Sequence, residues 1–341
     1  MIIIRPVKDN DLDGLLKLAH MAGDGLTTFP PDASVLKERI KLSKESFKST
    51  VNRPGKERYF LVMEDTELGQ IFGTSAIFAT VGLEKPFYNY KILHITQRSE
   101  KPPVTIDTKL LSLANDYRGV TELATLFLAP SHRQNGNGSL LSRARYLLMA
   151  SNPKRFAETV MAELRGWTDE NDQSPFWEAI GRQFFNMDFT DADLINARGN
   201  SQFIADLMPK FPIYTNLLPK AAREVIGKPN NRTLPAMKIL NKEGFKYRGA
   251  VDIFDGGPNL EIFRDNIKSL QKTKMGSVKL VENIVEGERY IISNPYYDQF
   301  RAMYGLIKVE GDENNPIVII SKDVGEALQV EVGSLIQILK A

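Results

Sequence analysis

The chain has 341 residues, a formal net charge of +2, three histidines and no cysteine. This composition excludes a disulfide framework, a cysteine nucleophile and a zinc–thiolate site, and we expect neither a metal cofactor nor a nucleic-acid partner. No apolar run is long enough to span a membrane, and residues 1–5 lack the layout of a signal peptide, so a cytoplasmic protein with no membrane contact is expected. The length predicts more than one domain.

The first third of the chain predicts strands and helices that alternate. Residues 2–6 predict a strand, and the apolar spacing that follows predicts a helix over 12–19. A charged helix is expected over 33–47. Two strand-like runs, 59–64 and 70–80, flank a polar turn that contains glycine, and this order predicts a hairpin.

The middle of the chain contains a strand, a glycine-rich turn and a helix. The apolar run 122–128 predicts a buried strand that ends before Pro130, and residues 133–139 form the turn. Apolar residues from Leu140 onward predict one face of a helix. Glycine lets the backbone approach a ligand closely, and the unpaired N–H groups of the first helical turn point toward it. The stretch therefore predicts an anion site.

Three types of phosphate-binding turn can be compared with this stretch. A dinucleotide fold requires Gly-x-Gly-x-x-Gly, whereas the turn has only Gly136 and Gly138. A P-loop requires Lys followed by Ser or Thr, which Ser139 and Leu140 do not supply. The turn resembles the Arg/Gln-x-x-Gly-x-Gly/Ala turn of the GNAT acyltransferases, where it holds the pyrophosphate of an acyl-CoA. An ordinary glycine turn capped by Asn137 is the alternative.

The rest of the chain contains a second copy of the closing segment of a GNAT core and a β-rich C-terminal region. A GNAT core closes with a short helix that ends in Gly-Phe; a segment of this kind occurs at 174–185 and another at 236–245, although the chain has one clear glycine turn. Five short apolar runs after residue 276 predict a small β-barrel or sheet that serves packing or oligomerisation. The predicted fold is α+β or α/β, with a GNAT-like core over 1–195, a partial second GNAT-like half over 196–270 and a small β-rich C-terminal domain over 271–341.

Short motifs spread along residues 1–262 point to one family. They are Ile4-Arg5-Pro6-Val7, Gly25-Leu26-Thr27-Thr28, Tyr88-Asn89-Tyr90, Glu122 to Leu128, Gly136-Asn137-Gly138, Ala162 to Gly166, Ser174-Pro175-Phe176-Trp177, Met187-Asp188-Phe189, Leu207 to Lys210, Pro212 to Thr215 and Asp252 to Pro258. In this order they resemble the bacterial arginine N-succinyltransferases. The resemblance implies transfer of a succinyl group from succinyl-CoA to the α-amino group of L-arginine, in arginine catabolism. Some members also accept ornithine and some bacteria carry two related subunits, so a homo-oligomer or a hetero-oligomer is expected.

One departure from the family concerns proton transfer. The resemblance implies a histidine proton donor shortly before a Thr-x-Pro-Ala segment, which here begins at Thr233, and the matching position is Asn230. Asparagine cannot exchange a proton near neutral pH. The histidine is dispensable, another group replaces it, or the chain has lost or changed its activity. A non-catalytic subunit that binds acyl-CoA is therefore one alternative, and an enzyme for ornithine or another amine is the other.

Acyl transfer needs a base for the amine and donors that polarise the thioester carbonyl. Glu122 opens the cofactor strand, where the resemblance to GNAT enzymes implies a base that acts directly or through water, and it is the predicted base; a strand-end carboxylate in a salt bridge is the alternative. His94 is a candidate for proton shuttling or substrate contact, or is structural. The predicted cofactor contacts are Leu126, which matches the family's succinyl-CoA contact, Phe127 and Leu128 on the strand, and Arg133, Gln134, Asn135, Gly136, Asn137, Gly138 and Ser139 in the turn.

The acceptor combines a cationic guanidinium with a carboxylate. Arg165 is predicted to pair with the carboxylate of the amino acid or of the succinyl group. Asp255 is predicted to hold the guanidinium, although Asp255-Gly256-Gly257-Pro258 is also a turn. The other carboxylates considered for this role are Asp169, Glu170, Asp172 and Asp252.

Overall fold

The structure is a computed structural model that describes residues 1–23, 26, 28–48, 50–189, 191–192, 195, 202–312 and 315–341. Gly25 and Thr27 of the second family motif lie outside the described residues, as do the residues directly after the predicted boundary at 195. Within the described part of the chain, no helix is both long and apolar enough to cross a membrane.

The described residues form strands and helices in mixed order. The strands are β1 (Ile2–Pro6), β2 (Arg58–Asp65), β3 (Gln70–Phe78), β4 (Asn89–Ser99), β5 (Val104–Ala114), β6 (Thr121–Leu128), β7 (Thr159–Glu163), β8 (Ile213–Tyr214), β9 (Lys246–Asp252), β10 (Pro258–Phe263), β11 (Lys274–Val281), β12 (Glu288–Ser293), β13 (Ala302–Glu310), β14 (Ile317–Ser321) and β15 (Leu335–Lys340). The helices are α1 (Leu12–Ala22), α2 (Ala33–Lys48), α3 (Asn137–Ser151), α4 (Pro175–Ala179), α5 (Gly181–Phe185), α6 (Gln202–Leu207), α7 (Lys220–Val225), α8 (Leu234–Glu243), α9 (Lys268–Lys272) and α10 (Lys322–Leu328).

The described strands are hydrogen-bonded into one continuous sheet. Their order is β12-β15-β11-β14-β13-β1-β2-β3-β6-β7-β10-β9-β4-β5-β8. Strand β12 also pairs with β13, so β11 to β15 close into a five-stranded barrel. The barrel is joined to the rest of the sheet where β13 pairs with β1, at Ala302 opposite Ile4.

The central strands are apolar on both faces because helices cover both faces. Tyr59, Leu61 and Met63 of β2 belong to the same apolar cluster as α3, whereas Phe60 and Val62 belong to the cluster that includes α1 and α2. Because both faces are buried, the central strands have continuous runs of apolar residues instead of alternating apolar and polar residues. The predicted helices and hairpin of the first third are present with similar bounds.

Helix α3 lies at the junction between the central sheet and the barrel. Its contacts include β3 and β6 on one side and β12 and β13 on the other. Most of its residues are buried, including the polar Ser142 and Arg145. The helix is therefore a core element, and its buried polar side chains need partners inside the protein.

Strand β6 is irregular in a way that opens the sheet. Thr125 has a left-handed backbone (φ 56°), and the register with β3 shifts between Thr74 and Ala76. The parallel ladder with β7 contains Thr121 opposite Val160 and Glu122 opposite Met161, and it ends there. Beyond Glu122, β6 and β7 separate. The sequence predicted the strand but not this bulge, since threonine rarely adopts positive φ.

The hairpin of β4 and β5 was not predicted as strands. Its far half is largely exposed on both faces: on β4, Leu93, His94 and Thr96 are exposed and Ile95 is half-buried, and on β5 residues 104–107 are all exposed. A hairpin that covers no core needs no alternation of apolar and polar residues, so the pattern that identifies strands is missing.

Candidate functional site

A small cavity opens where β6 and β7 separate. Its volume is about 140 Å³, which suits one end of a substrate rather than a whole coenzyme. The lining residues come from strands β6, β7 and β9 and the segments that follow them, from helix α3, from α8 and the turn before it, and from the segment between α1 and α2. They are Leu26, Thr28, Glu122 to Leu126, Arg145, Ala162 to Arg165, Thr233, Ala236, Leu240, Asp252, Phe254 and Asp255.

Glu122 lies at the closed end of the gap between the two strands. Its side chain is 5% exposed, and no group among the described residues donates a hydrogen bond to its carboxylate. Burial raises the pKa of Glu122 to about 7, and the positive charges of Arg58 and Arg39 oppose that rise. The site therefore holds a carboxyl group that changes its protonation near neutral pH.

Arg165 and Asp255 meet at the opposite wall of the cavity. The Arg165 Nε lies 3.3 Å from the Asp255 Oδ2, and the Arg165 Cζ lies 4.4 Å from the centre of the Phe189 ring. The Asp255 Oδ1 accepts a hydrogen bond from the Gly257 amide at 2.8 Å. The two residues that the sequence singled out for substrate binding thus line the cavity together and pair with each other.

Asn230 is not among the residues that line the cavity, although Thr233 is, and the Asn230 amide donates to the carbonyl of the cavity-lining Arg165 at 2.8 Å. The Asn230 Oδ1 accepts a hydrogen bond from the Arg232 amide at 2.9 Å, and its Nδ2 donates to the Thr168 Oγ1 at 2.9 Å. These contacts cap the single turn that precedes α8. The catalytic importance of this position, where the family's proton-donor histidine is replaced by asparagine, stays a prediction.

His94 is on the exposed part of β4, opposite Lys109 of β5. It is not among the residues that line the cavity. Its predicted role in proton shuttling or substrate contact stays a prediction.

The first four residues of the glycine turn, 133–136, are exposed, and the turn leads directly into α3. Asn135 and Gly136 both have left-handed backbones, with φ 54° and 81°. The Arg133 Nε donates to the Leu128 carbonyl at 3.0 Å, which ties the turn to the end of β6. The amides of Gly138 and Ser139 lie in the first turn of a 15-residue helix, where no preceding helical carbonyl can accept from them. Unpaired N–H groups at a helix N-terminus suit an anionic ligand, and binding of the cofactor by this turn stays a prediction.

Two side chains of the barrel contact this turn. The Arg289 Nη2 donates to the Asn135 carbonyl at 2.7 Å, and the Tyr304 hydroxyl donates to the Gly136 carbonyl at 3.3 Å. The Arg289 guanidinium lies 3.9 Å from the centre of the Tyr304 ring. These contacts could not be predicted from the sequence, because both residues belong to short strands with no recognisable motif and are more than 150 positions from the turn.

Among the described residues, no three histidine, aspartate or glutamate side chains are grouped so that they could hold a metal ion. The polar groups of the cavity suit an organic substrate that carries charges, because both carboxylates and guanidinium groups are present.

Family models match almost the whole chain. The model described as "Arginine N-succinyltransferase beta subunit" matches residues 2–269, and the model of its C-terminal domain matches residues 276–340.

Individual relatives and a solved structure give the same result. The arginine N-succinyltransferase of Enterobacter sp. (strain 638) is 42% identical over 304 residues, which are 89% of this chain and 88% of the relative. That of Citrobacter koseri is 38% identical and covers 100% of this chain and 98% of the relative. The structure of arginine/ornithine succinyltransferase subunit AI from Pseudomonas aeruginosa matches with a TM-score of 0.89 and 33% identity, over 100% of this chain and 98% of that one.

Proposed function

Because the chain belongs to the arginine N-succinyltransferase family, we propose that it transfers the succinyl group of succinyl-CoA to the α-amino group of L-arginine. The observation that carries this proposal is the position of Glu122, a buried carboxyl with a pKa of about 7, at the closed end of the cavity between β6 and β7. A base that titrates near the working pH is what amine deprotonation requires.

The donor is proposed to bind along β6 and the glycine turn. Backbone amides of residues 133–139 and the N-terminus of α3 hold the pyrophosphate of the coenzyme. The N–H groups around Leu126, Phe127 and Leu128 polarise the thioester carbonyl, and this role requires backbone rather than particular side chains.

The chemical step follows from this placement. Glu122 accepts a proton from the α-ammonium group of arginine, and the free amine attacks the carbonyl carbon of the thioester. A C–N bond forms, the C–S bond breaks and the thiolate of coenzyme A leaves. This thiolate is a weak base, so its departure does not depend on a strong acid; Trp177 and Leu240 occupy the positions where a proton-donating tyrosine is usual in the superfamily.

The opposite wall is proposed to bind the acceptor. Arg165 is placed to exchange part of its pairing with Asp255 for the α-carboxylate of arginine, and Asp255 then faces the substrate guanidinium. Asp252 is less available, because its Oδ1 accepts hydrogen bonds from the amides of Phe254 and Asp255 at 2.7 and 2.8 Å. The acceptor is thus proposed to be an amino acid with a cationic side chain.

We also propose the division of the chain given by its sequence. It consists of a GNAT-like core over 1–195, a partial second half over 196–270 and a β domain over 271–341. Family models that end at 269 and resume at 276 support the boundary between the second half and the β domain, and the boundary at 195 rests on the sequence alone. The name of the Pseudomonas relative, a subunit, motivates an oligomer built from copies of this chain or from this chain and a related one. Light scattering on the purified protein tests the first of these.

A steady-state assay tests the function. Purified protein is incubated with succinyl-CoA and either L-arginine or L-ornithine, and thiol release is followed together with the mass of the product. Succinylarginine as the preferred product supports the proposal. Preference for ornithine supports the other enzyme reading, and binding of coenzyme A without turnover of either amine supports a non-catalytic subunit.

Gly136→Ala is expected to raise the KM for succinyl-CoA about tenfold and to leave the KM for arginine unchanged. Residue 136 has φ 81°, and an added Cβ would lie 3.0 Å from the Tyr304 hydroxyl, so the turn must move. The matched control is Gly119→Ala, which has the same φ of 81° but a nearest neighbour 3.7 Å away. If both variants raise this KM equally, the turn is not the donor site.

Arg289→Ala is also expected to raise the KM for succinyl-CoA, by about threefold to tenfold, since one charge-assisted hydrogen bond to the turn contributes on the order of 1 kcal/mol. Lys308→Ala removes an exposed cation from the same barrel and is the control. An unchanged KM in Arg289→Ala would mean that the barrel does not position the turn.

A further inference from the structure

Arg145 is a buried cation that faces the cavity from α3. It is 1% exposed and is one of the residues that line the cavity. Its Nε donates to the Ser142 carbonyl at 3.1 Å and its Nη2 donates to the Ser142 Oγ at 2.8 Å. Both partners are neutral and belong to the same helix. The remaining N–H groups of the guanidinium are available to a ligand.

Two other cations in this region have carboxylate partners, whereas Arg39 and Arg58, whose charges act on Glu122, donate to backbone carbonyls. Arg165 pairs with Asp255, and Arg143, on the same helix as Arg145, lies 3.6 Å from the Glu243 carboxylate. Glu243 is also held by the Ser269 amide and hydroxyl, at 2.8 and 2.7 Å. Across the part of the chain that the structure describes, no aspartate or glutamate lies within salt-bridge distance of Arg145.

A buried guanidinium without a counter-ion is unfavourable. Burial lowers the pKa of Arg145, which is the effect of removing its charge from water, and the electrostatic influences of Tyr146 and Glu243 offset this only in part. An anionic ligand that enters the cavity would regain this energy. Ala162, Ala236 and Leu240 also line the cavity, and such apolar walls lower the local dielectric and strengthen an ion pair. Arg145 is therefore arranged as one half of an ion pair.

We propose that Arg145 binds the free carboxylate of the succinyl group and thereby selects a dicarboxylic acyl donor over a neutral one. This inference rests on the proposed function, in which the donor enters along β6 and the turn before α3. Arg145 is on the donor side because it belongs to the helix that starts at the turn, whereas Arg165 is on β7's side with Asp255. The succinyl carboxylate of the donor thus pairs with Arg145, and the α-carboxylate of the acceptor pairs with Arg165.

This arrangement predicts how the enzyme rejects other acyl-CoA molecules. Butyryl-CoA has the same four-carbon acyl chain without the carboxylate, so it would leave Arg145 buried and unpaired. A site built to pair with a polar group excludes an analogue that lacks it far more strongly than an apolar pocket excludes an extra methylene. Wild-type protein is therefore expected to prefer succinyl-CoA by a factor of about 1000 or more in kcat/KM.

The test compares Arg145→Leu with wild type, using succinyl-CoA and butyryl-CoA at a fixed concentration of L-arginine. We expect kcat/KM for succinyl-CoA to fall about 100-fold or more, and kcat/KM for butyryl-CoA to stay or rise, so the donor preference collapses. Arg143→Leu is the matched control: it removes a cation two residues away that does not line the cavity, and its donor ratio should equal that of wild type. An equal loss with both donors in Arg145→Leu would overturn the inference.

Two further measurements keep the test decisive if Arg145→Leu does not fold. Arg145→Lys retains charge but not the planar fork, and it should keep a reduced preference for succinyl-CoA. In wild type, butyryl-CoA should inhibit succinyl transfer only at concentrations far above the KM for succinyl-CoA; inhibition at similar concentrations would contradict the inference. Wild type that transfers no succinyl group to any amine refutes the proposed function itself, whereas transfer with an unaltered donor ratio in the variants refutes only the role of Arg145.

Discussion

Glu122→Gln is expected to lower kcat about 1000-fold at pH 7 while leaving the KM for succinyl-CoA near its wild-type value. Glutamine fills the same space and cannot accept a proton, so the loss measures general-base catalysis, for which factors of 100 to 10,000 are typical. The measurement is thiol release with L-arginine under saturating succinyl-CoA. Glu261→Gln is a suitable control, because Glu261 is a partly buried carboxylate on β10 outside the cavity.

The pH dependence has a definite direction. In wild type, the rate should rise with pH and level off above about 7, because the base must be ionised and its pKa is raised to about 7 by burial. In Glu122→Gln this ionisation should disappear from the profile. A variant that retains the wild-type pH profile would show that another group is the base.

Glu122 is expected to support activity but to destabilise the folded protein. A carboxyl group whose pKa is raised on folding, from 4.5 to about 7, destabilises the folded state above its unfolded pKa. The cost grows between pH 4.5 and 7 and reaches about 3 kcal/mol above pH 7, at 1.36 kcal/mol for each pKa unit. Glu122→Gln should therefore raise the melting temperature at pH 8 and have much less effect at pH 5.

The combination of lower activity and higher melting temperature in Glu122→Gln would distinguish a catalytic base from a structural carboxylate. If it were a carboxylate that stabilises the fold through a salt bridge, its replacement by glutamine would lower the melting temperature at pH 8. Arg58 and Arg39 favour its ionised form only as distant charges, and burial outweighs them. A variant that gains stability and loses activity is the expected signature of a group kept for catalysis.

The sequence was most informative where function depends on local geometry. The family membership, the helices around the sheet, and the turn that leads into α3 follow from short stretches in which a glycine, a proline or an apolar run has one physical meaning. Glu122 could be singled out because it opens an apolar strand, and burial of such a carboxylate is what raises its pKa. Here, local pattern and chemistry pointed to the same residue.

Features that arise from tertiary structure could not be predicted. Threonine at position 125 gives no sign of the left-handed bulge that separates β6 from β7, since the bulge is imposed by packing. Arg289 reaches the turn from another part of the sheet, and Arg145 in the sequence resembles an ordinary polar position on a helix. It becomes informative only when both sides of α3 are covered and the arginine is seen to be buried without a carboxylate.

Gly257→Ala is expected to lower the free energy of unfolding by about 3 kcal/mol and to reduce activity in whatever protein still folds. The added Cβ would lie 2.1 Å from the Leu164 carbonyl oxygen and 2.6 Å from the Gly166 nitrogen. These are backbone atoms, so no change of rotamer relieves the clash and the end of β7 must move. That segment lines the cavity, and the Gly257 amide also holds Asp255, so the arrangement that binds the acceptor is displaced as well.

Thermal denaturation provides the measurement, and Gly138→Ala provides the control. At position 138 an added Cβ has no neighbour within 4 Å and the residue is helical, so its melting temperature should equal or slightly exceed that of wild type. Both variants add the same methyl group, so a difference between their melting temperatures measures how much room each site has for it. The contrary result would be a Gly257→Ala variant with the melting temperature of Gly138→Ala and wild-type turnover. In that case the loop before β10 is not the rigid support of the acceptor wall, and the pairing of Arg165 with Asp255 must be maintained by β7 alone.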